Sequence, residues 1–228
     1  MTMGLCKKNL PVRGKYKDIS EKKCYREDGH EGECKEFPYL SDLSVSHPRV
    51  TNKIKRDATK TTGAAWKSED AGPNRIDRWV MLQSDDVLKN YGLDMVALKP
   101  GVVAKLREKA ATYDDCMDVA ARLTLLAYQM PDAPPCPADT RTYLESRFSP
   151  MVEGSTTCIV CKEPLSFSLF ENAQRGKAEI ETAHSNPREH NQNNVGFAHR
   201  ECNIAQGNKT VEEFYGWISG ILDRIDRT

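Results

Sequence analysis

The sequence predicts an α+β protein in which a zinc-stapled hairpin, loop and helix at the C-terminus follow a small helical domain and an N-terminal zinc module. Three observations carry that expectation. Cys158-Ile159-Val160-Cys161 is answered by His199-Arg200-Glu201-Cys202, two close pairs of soft ligands spaced as tetrahedral zinc requires. Cys6, Cys24, His30 and Cys34 form a second Cys3His set. Between the two sets, helix caps, prolines and apolar periodicity mark a run of short helices.

In chain order, residues 1–36 are the N-terminal module. Few apolar residues lie among its ligands, so a metal is the economical way to order it, and its glycines suit the sharp turns that aim ligands inward. Residues 37–72 read as a basic linker or extended arm, because polar residues dominate and Pro38 and Pro48 argue against a continuous helix. Lys53, Lys55 and Arg56 lie in it and are candidates for binding DNA phosphate, joined later in the chain by Arg188 and Lys209.

Residues 73–150 form the helical domain. Ser84 caps a helix through Asn90 that Gly92 ends, and Pro100 opens another reaching about Ala111. Asp114 or Asp115 starts the strongest helix, through about Tyr128, with Val119, Leu123, Leu126 and Ala127 on one face. Prolines from Pro131 to Pro137 stop it, and a fourth helix spans Ala138 to Phe148. Trp66 and Trp79 are expected to cover the edge of this bundle, and Cys116 to be a buried thiol in a helix.

Residues 151–228 hold the second zinc set. Ile180 to His184 is strand-like, Ser185 to Asn194 reads as a polar loop, and a helix begins around His199 to Cys202 and ends before Gly207. Thr210-Val211-Glu212-Glu213 is a capping box that opens a final helix. Its Phe214, Ile218, Ile221, Leu222 and Ile225 make an apolar face for the body or for a second subunit.

Composition narrows the function classes. Charged residues make up 29% and hydrophobic residues 39%, and no run approaches the length a membrane helix requires. A cytoplasmic protein is the expectation, because the N-terminus lacks an apolar signal and six of the eight cysteines cluster with histidine as metal sites do. Net charge is zero, yet residues 1–60 hold 14 Lys and Arg against 9 Asp and Glu, whereas residues 151–228 hold 8 against 11. A basic arm on a mildly acidic unit can still engage phosphate.

Residues 156–212 resemble the HNH, or beta-beta-alpha-metal, nuclease family. The matching positions are His184 at the end of a strand, Asn194 after the loop, and Asn203 directly after Cys202; the interval from Asn194 to His199 also fits. The resemblance implies a divalent-cation-dependent DNA endonuclease, with structural zinc on Cys158, Cys161, His199 and Cys202. It implies His184 as general base, Asn194 orienting the loop or base, and Asn203 helping to hold Mg2+ or Mn2+. The family usually has an acid or histidine before its first histidine, where this chain has Ala183, and a lysine where this chain has Gln206. Glu181 shares the strand face of Ala183 and is the substitute metal ligand, with His190 as a second candidate. Double-stranded DNA is the expected partner, and the same resemblance implies a homodimer. A sequence-specific restriction enzyme and a phage or mobile-element nuclease both fit. The alternative class is a zinc-containing nucleic-acid-binding protein without catalysis, and after it a protein-interaction scaffold.

Overall fold

The computed structural model describes residues 4–61, 76–171 and 178–227. Trp66 and the rest of the expected arm beyond residue 61 lie outside them. The elements are α1 (Ser41–Ser46), α2 (Pro48–Thr59), α3 (Asp85–Asn90), α4 (Pro100–Glu108), α5 (Tyr113–Tyr128) and α6 (Ala138–Arg147), then β1 (Ile180–His184), β2 (Val195–His199), α7 (Arg200–Gln206) and α8 (Val211–Ile225). The described residues thus form a mixed α+β fold, with two Cys/His clusters and a small β-hairpin.

Helix α5 organises the molecule. Eleven of its sixteen residues are buried, so it is a core helix rather than a surface one with a single apolar stripe. Its N-cap is Thr112, two or three residues earlier than expected, because Thr112 and Asp115 close a reciprocal capping box. Its first two turns, Tyr113 to Met117, join a cluster with Tyr25, Trp79, Met81, Leu88 and Leu106. Its later turns, Val119 to Tyr128, join α1, α2, α6 and the hairpin in the main core. One helix therefore ties the N-terminal module to the C-terminal unit. Cys116 is buried within it, as expected. Trp79 is buried too, its indole N–H donating to Ser20 Oγ at 2.8 Å.

The segment expected as an extended arm is helical where it is described. Pro38 opens a 3-10 turn and Pro48 opens α2, each at a position where the fixed φ and missing N–H cost nothing. The prolines start helices here instead of preventing them. Helix α2 then buries Val50, Ile54 and Ala58, four residues apart, against α5.

The hairpin pairs β1 with β2 antiparallel, Ile180 opposite His199 and His184 opposite Val195. Gly196 is required by packing: a Cβ there would stand 2.4 Å from Ile159 Cγ2. That close approach lets Ile159 N–H donate to the Phe197 carbonyl at 3.0 Å, docking the Cys158–Cys161 turn on β2. Helix α8 carries the expected Thr210–Glu213 capping box, yet buries only Val211 and Phe214.

Candidate active site and metal centres

Both Cys/His sets converge. The ligand atoms of Cys6, Cys24, His30 and Cys34 lie within 4.8 Å of one another, as do those of Cys158, Cys161, His199 and Cys202. In the first, His30 Nε2 stands 3.3 Å from Cys24 Sγ; in the second, His199 Nδ1 stands 3.4 Å from Cys161 Sγ. Ligands about 2.0–2.3 Å from a tetrahedral zinc are themselves about 3.5–3.8 Å apart, so both sets are compatible with structural zinc.

Local backbone explains the second cluster. Cys158 to Lys162 is a tight turn closed by Lys162 N–H to the Cys158 carbonyl at 2.9 Å, with Lys162 in the left-handed region at φ 68°. His199 ends β2 and is also the N-cap residue of α7, which carries Cys202. Burial raises the Cys158 thiol, but the N–H groups of Cys161, Val160 and His199 outweigh it and hold that thiol below its usual range. Cys202 is pushed up to about 12 by burial and the neighbouring sulfurs. Crowded would-be thiolates are relieved by a cation, which is the chemistry of a zinc site.

The hairpin end is the other concentration of chemistry. His184 Nε2 lies 2.9 Å from His190 Nδ1, and His190 Nε2 lies 2.8 Å from the Ala58 carbonyl oxygen at the end of α2. Burial, with the positive charges of Arg78 and Lys109, pushes the His184 pKa down to about 3, so the ring is neutral at pH 7. Asn194 is buried and staples the loop to itself: its Oδ1 accepts from Asn186 N–H at 2.7 Å, and its Nδ2 donates to the Asn186 and Glu189 carbonyls, both at 2.8 Å. Gln206, buried on α7, donates to the carbonyls of His184 at 2.9 Å and Lys209 at 3.0 Å. Asn203 precedes Gln206 by three residues on α7 and so sits about one turn from the end of β1 on the same side. Among the described residues its side chain has no hydrogen-bond partner.

Several expected site residues are engaged otherwise. Lys53 is 5% exposed, with its ammonium 3.1 Å from Asp57 Oδ2 and 2.8 Å from Glu181 Oε2. It is an internal ion-pair partner and not a surface phosphate ligand. Asp57, buried, also accepts from Arg56 Nε at 2.7 Å and from the Thr182 hydroxyl at 3.0 Å. Glu181, expected to hold a cation, thus holds the Lys53 ammonium. Ala183 is 1% exposed in the main core, so the position before His184 faces packing. His190 has both ring nitrogens in hydrogen bonds. Among the described residues, the two Cys/His sets are the groups in which three or more potential ligands converge; no acidic set joins them.

The remaining basic candidates divide. Lys55 and Arg56 line a cleft of about 960 Å3 with Lys22, Lys35, Lys60, Phe37 and Trp79, between the N-terminal module and α2. Burial lowers the Lys55 pKa, and its ammonium sits over the Phe37 ring. Arg188 is exposed beside Glu213, and Lys209 lies over the Trp217 ring. Sequence reasoning missed Asp57 and the Ala58 carbonyl, and marked Gln206 only as a departure from the family's lysine; the Lys53/Asp57 spacing of four was a local signal.

The fold has a solved counterpart. A chain described as the crystal structure of a type II restriction endonuclease matches with a TM-score of 0.85 and 46% identity, covering 99% of this chain and 100% of that one. The DraIII family model matches residues 36–202, and the chain belongs to the DraIII family. No curated protein matches.

Proposed function

We propose that the protein is a DNA endonuclease of the restriction type, cutting phosphodiester bonds of duplex DNA at the hairpin end. The observation that carries this reading is His184 at the end of β1 beside the helix α7 that bears Asn203, in a chain 46% identical to a type II restriction endonuclease. The β1–β2–α7 order with zinc ligands on β2 and α7 is also the order of the beta-beta-alpha-metal nucleases that the sequence resembles.

In this account the two zinc ions are structural, held by the two Cys/His sets. His184 takes the proton from the attacking water; burial makes it a weaker base than a free imidazole, which the anionic scissile phosphate would offset. Asn194 keeps the loop closed, Gln206 pins the end of β1, and Asn203 offers a free amide oxygen. A bound Mg2+ or Mn2+ would supply charge stabilisation at the scissile phosphate. The protein donors for it are few: Asn203, and Glu181 if it exchanges its Lys53 partner. That is compatible with Mg2+, which is commonly held by one or two protein groups plus phosphate and water.

The cleft lined by Lys55, Arg56 and Lys60 is the proposed track for DNA backbone, since α2 leads from it to Ala58 beside His190. A homodimer is proposed through α8. Its Leu222 and Ile225 are 54% and 61% exposed, and an antiparallel second copy would set Glu212 and Glu213 against Arg224 and Arg227.

The experiment is incubation of the zinc-loaded protein with varied duplex DNAs and Mg2+ or Mn2+. Discrete fragments are expected. Binding without cleavage under every cation would favour the non-catalytic DNA-binding reading, for which Ala183 is the supporting feature.

A further inference from the structure

The two histidines of the hairpin and loop admit one self-consistent proton arrangement. A carbonyl oxygen only accepts, so His190 Nε2, 2.8 Å from the Ala58 oxygen, carries a hydrogen. His190 is buried, and its burial near the Arg78 guanidinium favours the neutral ring, leaving Nδ1 as a bare acceptor. That nitrogen lies 2.9 Å from His184 Nε2, which must therefore donate. The remaining lone pair of His184 is on Nδ1, and among the described residues no donor occupies it.

We propose that His190 is a positioning residue: by relaying a hydrogen bond from His184 to the Ala58 carbonyl, it fixes His184 as the Nε2–H tautomer and presents the Nδ1 lone pair for proton transfer. The inference rests on the reading of His184 as general base, and it names the nitrogen that does the work. An imidazole in the wrong tautomer cannot accept a proton at the reacting side, and loss of an orienting partner lowers turnover by orders of magnitude in other enzymes.

The relay also accounts for the grip of α2 on the hairpin. Lys53 bonds Glu181, Asp57 bonds Thr182, and the Ala58 carbonyl bonds His190, so successive points of the last two turns of α2 hold β1 and its loop. Ala58 is itself fully buried. The acceptor is therefore a rigid backbone group that solvent cannot replace.

The test is ring-nitrogen NMR of the full, zinc-loaded chain labelled with 15N-histidine, with His184→Gln assigning the His184 signals. The expected result is a hydrogen on Nε2 and a bare Nδ1 in both His184 and His190. A hydrogen on His184 Nδ1 overturns the proposal. Cleavage kinetics supply a second readout. His190→Gln keeps both an acceptor and a donor and should hold kcat within about tenfold, whereas His190→Phe should lower kcat about 10²–10³-fold with KM nearly unchanged. Wild-type kcat in His190→Phe also overturns it. Full cleavage by His184→Gln, with the predicted tautomer present in wild type, would instead remove the base reading and leave the relay standing.

Discussion

Lys53 offers a sharp test of how α2 and the hairpin are held. Its ammonium bridges Asp57 and Glu181 at 3.1 and 2.8 Å, with 6% of the side chain exposed. Lys53→Met removes the charge and keeps the stem. Asp57 then retains Arg56 and Thr182, and Glu181, whose side chain is 32% exposed, is partly rehydrated. Breaking a buried pair by removing one partner costs about 3–5 kcal/mol, and these two compensations put the loss near the lower end, at about 3 kcal/mol. Urea unfolding of the zinc-loaded protein would measure it as a lower midpoint at unchanged slope. The double variant Lys53→Met/Asp57→Asn should recover part of the loss, because the stranded carboxylate is gone. Since Lys53 is buried, the salt dependence of DNA binding should not change. Unchanged stability in Lys53→Met, with a salt slope smaller by about one, would refute this reasoning and return Lys53 to the DNA surface.

Other outcomes follow from the same geometry. Asn194→Ala strands the Asn186 N–H and two carbonyls and should cost about 2–4 kcal/mol, seen as faster amide exchange over residues 185–194. Both His184 and His190 have pKa values below that of an unfolded histidine, so their contribution is present above about pH 6.5 and is lost as pH falls, by up to about 1.4 kcal/mol per pH unit each. Unfolding midpoints from pH 7 to pH 5, compared with those of His184→Gln/His190→Gln, isolate this slope from protonation of the zinc ligands. Leu222→Glu with Ile225→Glu should halve the mass measured by light scattering if α8 pairs two copies. Metal analysis should give two zinc ions per chain, and one in Cys24→Ser.

The two Cys/His sets were legible because metal ligation imposes spacing on sequence: Cys158 and Cys161 share a turn, and His199 and Cys202 a strand end and helix start. Helices α3, α5 and α8 were legible through caps, although Thr112 was passed over because two aspartates follow it. The arm differs from its expectation because its sequence signals have two meanings. Pro48 stops a helix or starts one, and Lys53 and Asp57 look solvated until Glu181 and Thr182 arrive from far along the chain. Likewise the hydrogen bond of His190 has no local sign, since its partner is a backbone carbonyl more than a hundred residues away. Glu181 was placed on the correct strand, but the cation that it meets belongs to a lysine.

The most direct measurement of the central claim is cleavage of duplex DNA by wild type and His184→Ala, each confirmed to be folded and zinc-loaded. The account predicts discrete fragments from wild type with Mg2+ or Mn2+, and a loss of about 10²–10⁴-fold in the variant with DNA binding intact. Turnover by His184→Ala equal to wild type would contradict it.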